Sequence, residues 1–185
     1  MTRYFVLAFP ELADADRERI EAVRRAHDPQ AGLVAAHITL VFNVALDDPA
    51  PLQAHVAAVA AATAACDILF DDCRVWSERD SADRYLFLMP DPAGEARLHS
   101  LHAHLHGGAP AAVQATMRPY RPHITLARRN DDEESALQAL RDRLTTSLTP
   151  FTAHLDALTV VALSGDRIST VSRHELKGAG GGGDT

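Results

Sequence analysis

The chain has 185 residues and a mass of 20.0 kDa, which suits one domain or two small lobes that share an interface. Its 46% apolar content is that of a globular protein and excludes a disordered chain. The net charge of −7 argues against a protein that coats long nucleic acids through a broad basic face. It still allows a local cluster of arginines to hold a small nucleotide or one RNA end.

The first half of the chain predicts alternating strands and helices. Runs of β-branched and aromatic residues indicate the strands, and apolar residues at helical spacing indicate the helices. Pro10 ends the first strand, and Pro51 begins the second helix. The predicted elements are a strand at 3–9, a helix at 11–28, a strand at 32–44, a helix at 51–65 and strands at 66–76 and 84–90.

The second half repeats this order, so the sequence predicts an α+β fold built from a duplicated unit. Two glycines close its first helix, and acidic residues open its second. The predicted elements are a helix at 93–108, a strand at 119–128, a helix at 131–147, a hairpin of strands at 151–164 and 166–176 that turns at Gly165-Asp166, and a disordered Gly-rich tail at 177–185.

Several classes of protein are disfavoured by what the sequence lacks. Cys66 and Cys73 match no common zinc spacing, and a reduced pair is expected. The N-terminal apolar run is too short for a signal peptide, and no run approaches the roughly 20 residues of a membrane span. We therefore expect a cytoplasmic monomer that does not associate with membranes.

The tetrapeptide His-Ile-Thr-Leu occurs twice, at 37–40 and at 123–126, each time within an apolar run. Successive side chains of a strand point to opposite faces, so His37 and Thr39 share one face of their strand. His123 and Thr125 share a face in the same way. If the two strands face each other across a groove, that groove holds two imidazoles and two hydroxyls.

This set of side chains fits displacement at phosphorus in a cyclic phosphodiester. One neutral imidazole removes a proton from the attacking water, and one imidazolium protonates the departing sugar oxygen. The two threonine hydroxyls can donate hydrogen bonds to the non-bridging oxygens, where negative charge must be held. The chemistry requires no metal and no cofactor.

The paired H-x-T-x motifs and the arginine of "PHITLAR" resemble the two-histidine (2H) phosphoesterase superfamily, in particular its 2′–5′ RNA ligase and RNA 2′,3′-cyclic phosphodiesterase branch. The resemblance implies one bilobal domain over 1–176, with pseudo-twofold symmetry and antiparallel sheets flanking a central cleft. It implies metal-independent opening of a cyclic phosphate on a nucleotide or RNA end, with His37 as the acid and His123 as the base. Closing or cleaving a 2′–5′ linkage is an alternative, and so is a non-catalytic nucleotide-binding or RNA-binding module.

Phe42 and Arg128 each lie five residues past a motif histidine and resemble base-contacting and phosphate-contacting residues of the family. Strict alternation would turn both away from the histidines, so each strand needs a bulge or a bend. Phe42 is alternatively a core aromatic, and Arg128 competes with Arg121 for the phosphate. Tyr120 either stacks on a base or packs where the strand begins. Arg118 and Arg129 are further candidates for the phosphate, with solvated charge as their alternative.

In one respect the chain departs from the family. Many relatives continue the first motif with Phe-Leu-Gly, whereas this chain reads Phe42-Asn43-Val44, so the nucleotide contacts after that strand are expected to differ.

Three histidines lie at i, i+3 and i+7 of the 93–108 helix, which raises the question of a metal site at His99, His102 and His106. The favoured interpretation is an amphipathic helix that buries three leucines and turns its imidazoles to solvent. The leucines are Leu98, Leu101 and Leu105. The histidines outside any motif are expected to be structural or exposed, namely His27, His55, His154 and His174.

Overall fold

The computed structural model describes residues 2–77, 82–117, 119–129, 134–148 and 150–178. The strands are β1 (Arg3–Ala8), β2 (Ile38–Ala45), β3 (Cys66–Ser77), β4 (Arg84–Pro90), β5 (Ile124–Arg129), β6 (Phe151–Leu155), β7 (Ala157–Ser164) and β8 (Arg167–Glu175). The helices are α1 (Asp14–His27), α2 (Ala50–Ala62), α3 (Pro92–His106), α4 (Ala111–Gln114) and α5 (Glu134–Ser147).

The strands form one antiparallel sheet in the order β6-β3-β4-β5-β2-β1-β7-β8. The two motif strands, β5 and β2, are neighbours at its centre, and the order is symmetric about them. We call β2-β1-β7-β8 the first lobe and β5-β4-β3-β6 the second lobe. The lobes are interleaved, because β3 follows α2 in the chain but pairs in the second lobe, while β7 returns to the first. The predicted α+β class with duplicated halves is confirmed.

Helices cover one face of the sheet and obey the same symmetry. α1 lies between β1 and β2 in the chain but packs against β5, and its counterpart α3 packs against β2. α2 packs against β7 and β8, whereas α5 packs against β3 and β4. Ile38, Leu40, Ile124 and Leu126 point into this core and are at most 1% exposed. The opposite face of the sheet, called the cleft face below, therefore receives the side chains that alternate with them.

The hairpin at the end of the chain differs in part from its prediction. Gly165 makes the predicted turn with φ 59°, but the predicted strand at 151–164 is two strands separated by Asp156. β6 pairs with β3 and β7 pairs with β1, so these consecutive strands lie far apart in the sheet order. One intervening residue spans only about 7 Å, so the sheet must bend strongly to bring these strands together.

Both motif strands begin later than predicted, directly after their histidines. Residues 29–33 form turns, and the Asp28 carboxylate accepts a hydrogen bond from the Gln30 backbone N–H. In the second motif, prolines at 119 and 122 lack the N–H that a sheet ladder needs. Each histidine thus sits where a loop becomes a strand.

Smaller differences concern the termini and the short segments. The helix α4 was not predicted, and residues 131–133 of the predicted 131–147 helix lie outside the described residues. Lys177 bonds through its backbone to Thr63 and Ala65, and residues 179–185 of the predicted tail lie outside the described residues. Cys66 and Cys73 are free thiols. Across the described ranges, none of the helices has the length and apolarity that crossing a membrane requires.

Candidate active site

The two motifs meet at a single registered pair between the central strands, Ile38 opposite Ile124. In an antiparallel pair the residues that flank such a position also face each other. The motif histidines and threonines flank it on the cleft face, so each imidazole lies beside the hydroxyl of the other motif. All four of these side chains are partly exposed, whereas the two isoleucines are fully buried. The facing pairs are His37 with Thr125 and His123 with Thr39.

Both motif strands carry a β-bulge at the leucine of the motif. In the first lobe Thr39 pairs with Leu7 and Val41 with Val6, which leaves Leu40 as the extra residue. In the second lobe the extra residue is the equivalent Leu126. A bulge shifts the alternation of faces by one residue.

These bulges bring Phe42 and Arg128 onto the cleft face with the histidines, as the sequence required for them to reach the site. Phe42 is 47% exposed and meets the Phe5 ring edge to face at 5.3 Å, so it is not a core aromatic. The Arg128 guanidinium donates to the Asp83 carboxylate at 2.9 Å and lies over the Tyr85 ring. Asn43 adopts a left-handed φ of 61°, which asparagine tolerates.

Each motif imidazole is oriented by the carbonyl two residues before it. His37 Nδ1 lies 2.8 Å from the Ala35 oxygen, and His123 Nδ1 lies 2.8 Å from the Arg121 oxygen. A carbonyl oxygen can only accept, so each Nδ1 carries a proton. In the neutral ring Nε2 is then left with its lone pair, ready to accept a proton from a bound reactant.

The rings of the two histidines rest on different neighbours. His123 stacks on Phe87 with ring centroids 3.7 Å apart, whereas His37 meets Phe9 at 5.9 Å with tilted planes. Burial, together with the charges of His37 and Arg121, lowers the pKa of His123 to about 4, although its bond to the Arg121 carbonyl acts in the opposite direction. Burial also lowers the pKa of His37, opposed mainly by its bond to the Ala35 carbonyl. Both imidazoles are therefore neutral near pH 7 in the free protein.

A buried ion-pair network holds the segment that leads into the first motif. Arg24 of α1 is 1% exposed and donates to Asp28 at 3.0 Å and to the Val34 carbonyl at 2.9 Å. Glu21 pairs with Arg24 and accepts from the Ala36 backbone N–H at 2.6 Å. The network thereby fixes the residues on both sides of Ala35, whose carbonyl orients His37. Sequence reasoning missed it, because charged residues on a helix resemble a solvated face.

An aromatic stack supports the corresponding segment before the second motif. Tyr120 stacks on His102 of α3 with centroids 4.1 Å apart, and His102 lies 4.2 Å from the His106 ring. Of the two alternatives for Tyr120, these contacts favour packing where the strand begins over stacking on a base. Burial, followed by the charges of His106 and His99, lowers the pKa of His102 to about 4.

The expectation that the α3 imidazoles face solvent was wrong for two of them. His102 and His106 are only 7% and 5% exposed, because the segment that contains Tyr120 covers their side of the helix. His99 remains exposed, and the three leucines are buried as predicted. Within the described ranges, no cluster of three or more His, Cys, Asp or Glu is arranged to bind a metal ion.

Arg121 occupies the rim of the second lobe. Its guanidinium lies 3.5 Å from the centre of the Trp76 ring, while its carbonyl holds His123. Arg118 lies outside the described residues, and Arg129 is partly buried at the end of β5. Of the four arginines considered from the sequence, Arg121 and Arg128 therefore stand on the cleft side with the histidines.

Comparison with known proteins identifies the family. The model of the 2′-5′ RNA ligase superfamily matches residues 10–167, which is most of the chain. Escherichia coli LigT complexed with 3′-AMP shares the fold at a TM-score of 0.60 and 21% identity, covering 95% of this chain and 98% of that one. Kluyveromyces marxianus Usb1 with uridine monophosphate does so at 0.57 and 12%, covering 91% and 97%. No curated protein sequence matches the chain significantly.

The matched residues include both motifs, and the resemblance to two-histidine phosphoesterases that the motifs carry is confirmed. The match to this superfamily supports the prediction that the protein is a phosphoesterase. The chain belongs to the 2′-5′ RNA ligase superfamily of two-histidine phosphoesterases.

Proposed function

We propose that the protein hydrolyses cyclic phosphodiesters, either RNA 2′,3′-cyclic phosphate ends or small cyclic nucleotides, without a metal ion. The observation that carries this proposal is the pair of equivalent imidazoles, each with a proton on Nδ1, a free Nε2 and the opposite motif's threonine beside it. Such a pair can give and take protons on both sides of one phosphorus atom.

In the proposed reaction His123 is the base and His37 is the acid. Nε2 of His123 takes a proton from water as the water oxygen bonds to phosphorus, and one ribose oxygen leaves with a proton from Nε2 of His37. Burial of the His123 ring, which stacks on Phe87, and the charges of His37 and Arg121 keep it neutral, as a base requires. His37 gains its proton when the anionic phosphate binds, because a nearby negative charge raises an imidazole pKa.

The other cleft residues divide the remaining work. The hydroxyls of Thr39 and Thr125 donate to the non-bridging oxygens as charge accumulates on them. Arg128 pairs with the phosphate, and the exposed Phe42 ring contacts the base of the terminal nucleotide. LigT complexed with 3′-AMP and Usb1 with uridine monophosphate support a nucleotide ligand at this site. One copy of the chain supplies all the residues named here, so the proposed enzyme is a monomer.

The test is a panel of cyclic phosphates incubated with the purified protein in EDTA, with the product's phosphate position read by phosphorus NMR. Turnover in EDTA within about twofold of that without chelator is expected, since no Lewis acid contributes to the barrier. Loss of turnover in EDTA with recovery on adding zinc or manganese would overturn the mechanism.

The same panel includes RNA with a free 5′-hydroxyl end, to detect joining through a 2′–5′ linkage, in which the 5′ oxygen bonds to phosphorus and the 3′ oxygen leaves. Joining uses the same site with an RNA hydroxyl in place of water, so it would change the second substrate and leave the residue roles intact. Binding of nucleotides without turnover of any of these compounds would instead identify a non-catalytic binding module.

A further inference from the structure

Beyond His123, the cleft face of the second lobe carries a row of aromatic side chains. Phe87 stacks on His123, and Tyr85 stacks on Phe87 with centroids 5.4 Å apart. Trp76 of β3 lies opposite Tyr85 in the sheet register and is 37% exposed. The equivalent positions of the first lobe hold Leu7, Phe5 and Val161, in the same order. The row of rings thus distinguishes the second lobe from the first.

Arg121 joins this aromatic row to the catalytic centre. Its guanidinium covers one side of the Trp76 ring, and its backbone carbonyl orients His123. Arg74 and Arg128 on the same lobe pair with carboxylates, at Asp72 and Asp83. No carboxylate among the described residues lies within ion-pair distance of Arg121. An arginine of this kind beside an exposed indole is the combination that binds single-stranded nucleic acid by pairing with phosphate and stacking on bases.

Trp76 lies too far from the histidines to belong to the phosphate site itself. It stands two strands from β5, roughly 10 Å at the usual spacing of sheet strands. It is also displaced along the sheet, since it pairs with Tyr85 while Phe87 is the residue beside His123. A ligand that reaches Trp76 from the histidines must therefore extend beyond the sugar that carries the reacting phosphate.

We propose that Trp76 and Arg121 form a binding site for a second nucleotide of an RNA strand. The base that precedes the terminal nucleotide stacks at Trp76, and Arg121 pairs with the phosphodiester that joins the two nucleotides. This inference rests on the proposed function, because it places the terminal phosphate at the histidines. It makes the preferred substrate an RNA end of at least two nucleotides.

The chain contains a single tryptophan, so fluorescence excited selectively at tryptophan reports on Trp76 alone. The experiment titrates the wild-type protein with 3′-AMP and with the adenosine dinucleotide that ends in a 3′-phosphate, two ligands without a bond to hydrolyse at the cyclic position. We expect the dinucleotide to change the fluorescence and to bind about tenfold more tightly, the usual gain from stacking one base on an aromatic side chain. The mononucleotide should bind without that change.

Variants then test whether Trp76 causes the preference for the dinucleotide. Their affinities are measured by calorimetry, because Trp76→Ala lacks the fluorophore. Trp76→Ala should lower the dinucleotide affinity about tenfold and leave that of 3′-AMP unchanged, while Trp76→Phe should retain most of the preference. Leu69→Ala is the matched control, since Leu69 is an equally exposed apolar residue on the same strand, at 38%. Thermal unfolding of each variant confirms that it is folded.

Equal affinities of the wild-type protein for the two ligands would overturn the inference, and so would a preference that persists in Trp76→Ala. Turnover of cyclic phosphates separates this failure from that of the proposed function. If the wild-type protein prefers the dinucleotide through Trp76 but opens no cyclic phosphate, the second site stands and the proposed hydrolysis fails. If wild type and Trp76→Ala open cyclic mono- and dinucleotides with equal kcat/KM, the hydrolysis stands and the second site fails.

Discussion

The two motifs are identical over four residues and their strands are equivalent in the sheet, yet the structures that support them differ in kind. Ion pairs made by α1 hold the segment before His37, whereas stacked rings from α3 hold the segment before His123. The supporting side chains even stand at the same i, i+3, i+7 spacing in the sequence, with Asp28 the residue directly after α1. They are Glu21, Arg24 and Asp28 in the first half and His99, His102 and His106 in the second.

This difference shows how a duplicated unit can give two chemically distinct histidines. The backbone carbonyl, the bulge and the opposing threonine are shared, so both imidazoles point their Nε2 in equivalent ways. What differs is the surrounding charge and packing. Burial lowers the pKa of both imidazoles. At His37 the Arg24 charge lowers it as well while the Asp28 and Glu21 carboxylates raise it, whereas at His123 the nearby charges, His37 and Arg121, both lower it. This asymmetry supports the assignment of acid and base proposed above, which the family resemblance implies.

The largest expected effect tests that assignment directly. His37→Ala and His123→Ala should each lower turnover of a cyclic nucleotide by about 10²–10⁴, the span of a lost general acid or base. On a p-nitrophenyl phosphodiester, whose leaving group departs without a proton, His37→Ala should recover most of its activity and His123→Ala should not. His104→Ala, an exposed histidine of α3, is the control and should match wild type. Recovery of His123→Ala instead would exchange the two roles.

The second prediction breaks the ion-pair support of the first motif. Arg24→Met leaves Asp28 and Glu21 without their buried partner, and removing one member of a buried pair typically costs about 3–5 kcal/mol of unfolding free energy. Urea denaturation measures that loss. Arg25→Met, at the exposed neighbouring position, should change stability by less than about 0.5 kcal/mol. Equal stability of the two variants would show that the network does not hold the segment.

The sequence predicted the placement of the cleft side chains better than it predicted the residues that support them. Two repeated His-Ile-Thr-Leu segments sufficed to predict which side chains share a face, because strand alternation is a local property. The sequence also predicted a bulge or a bend in each motif strand, because strict alternation would turn Phe42 and Arg128 away from the histidines. The roles of Arg24 and His102 could not be predicted in this way, because their burial depends on loop segments that pack on the helices from a distance in sequence. The break at Asp156 likewise reflects the bend of the whole sheet.

The third prediction concerns pH and the imidazoles that support the second motif. His102 has a pKa of about 4 in the folded protein and about 6.5 when unfolded, so between these values the unfolded state binds more protons. Stability should therefore fall as pH drops from 6.5 toward 4, with His102 contributing about 1–3 kcal/mol of that loss. Urea denaturation at pH 7 and pH 4.5 should show a smaller loss for His102→Phe than for wild type. His104→Phe, on the exposed side of α3, should keep the wild-type dependence.

The smallest expected effect comes from one oxygen atom in the same stack. The Tyr120 hydroxyl is buried and has no hydrogen-bond partner among the described residues, and burial raises the pKa of the phenol. An unpartnered buried hydroxyl carries a desolvation penalty, so Tyr120→Phe should leave the protein as stable as wild type or more stable by about 1 kcal/mol. Tyr120→Leu, which loses the stacking on His102 at 4.1 Å, should instead be destabilised by about 1 kcal/mol or more. If Tyr120→Phe lowered kcat while stability held, the hydroxyl would reach the reacting phosphate, and the second motif would have a catalytic neighbour where the first has only ion pairs.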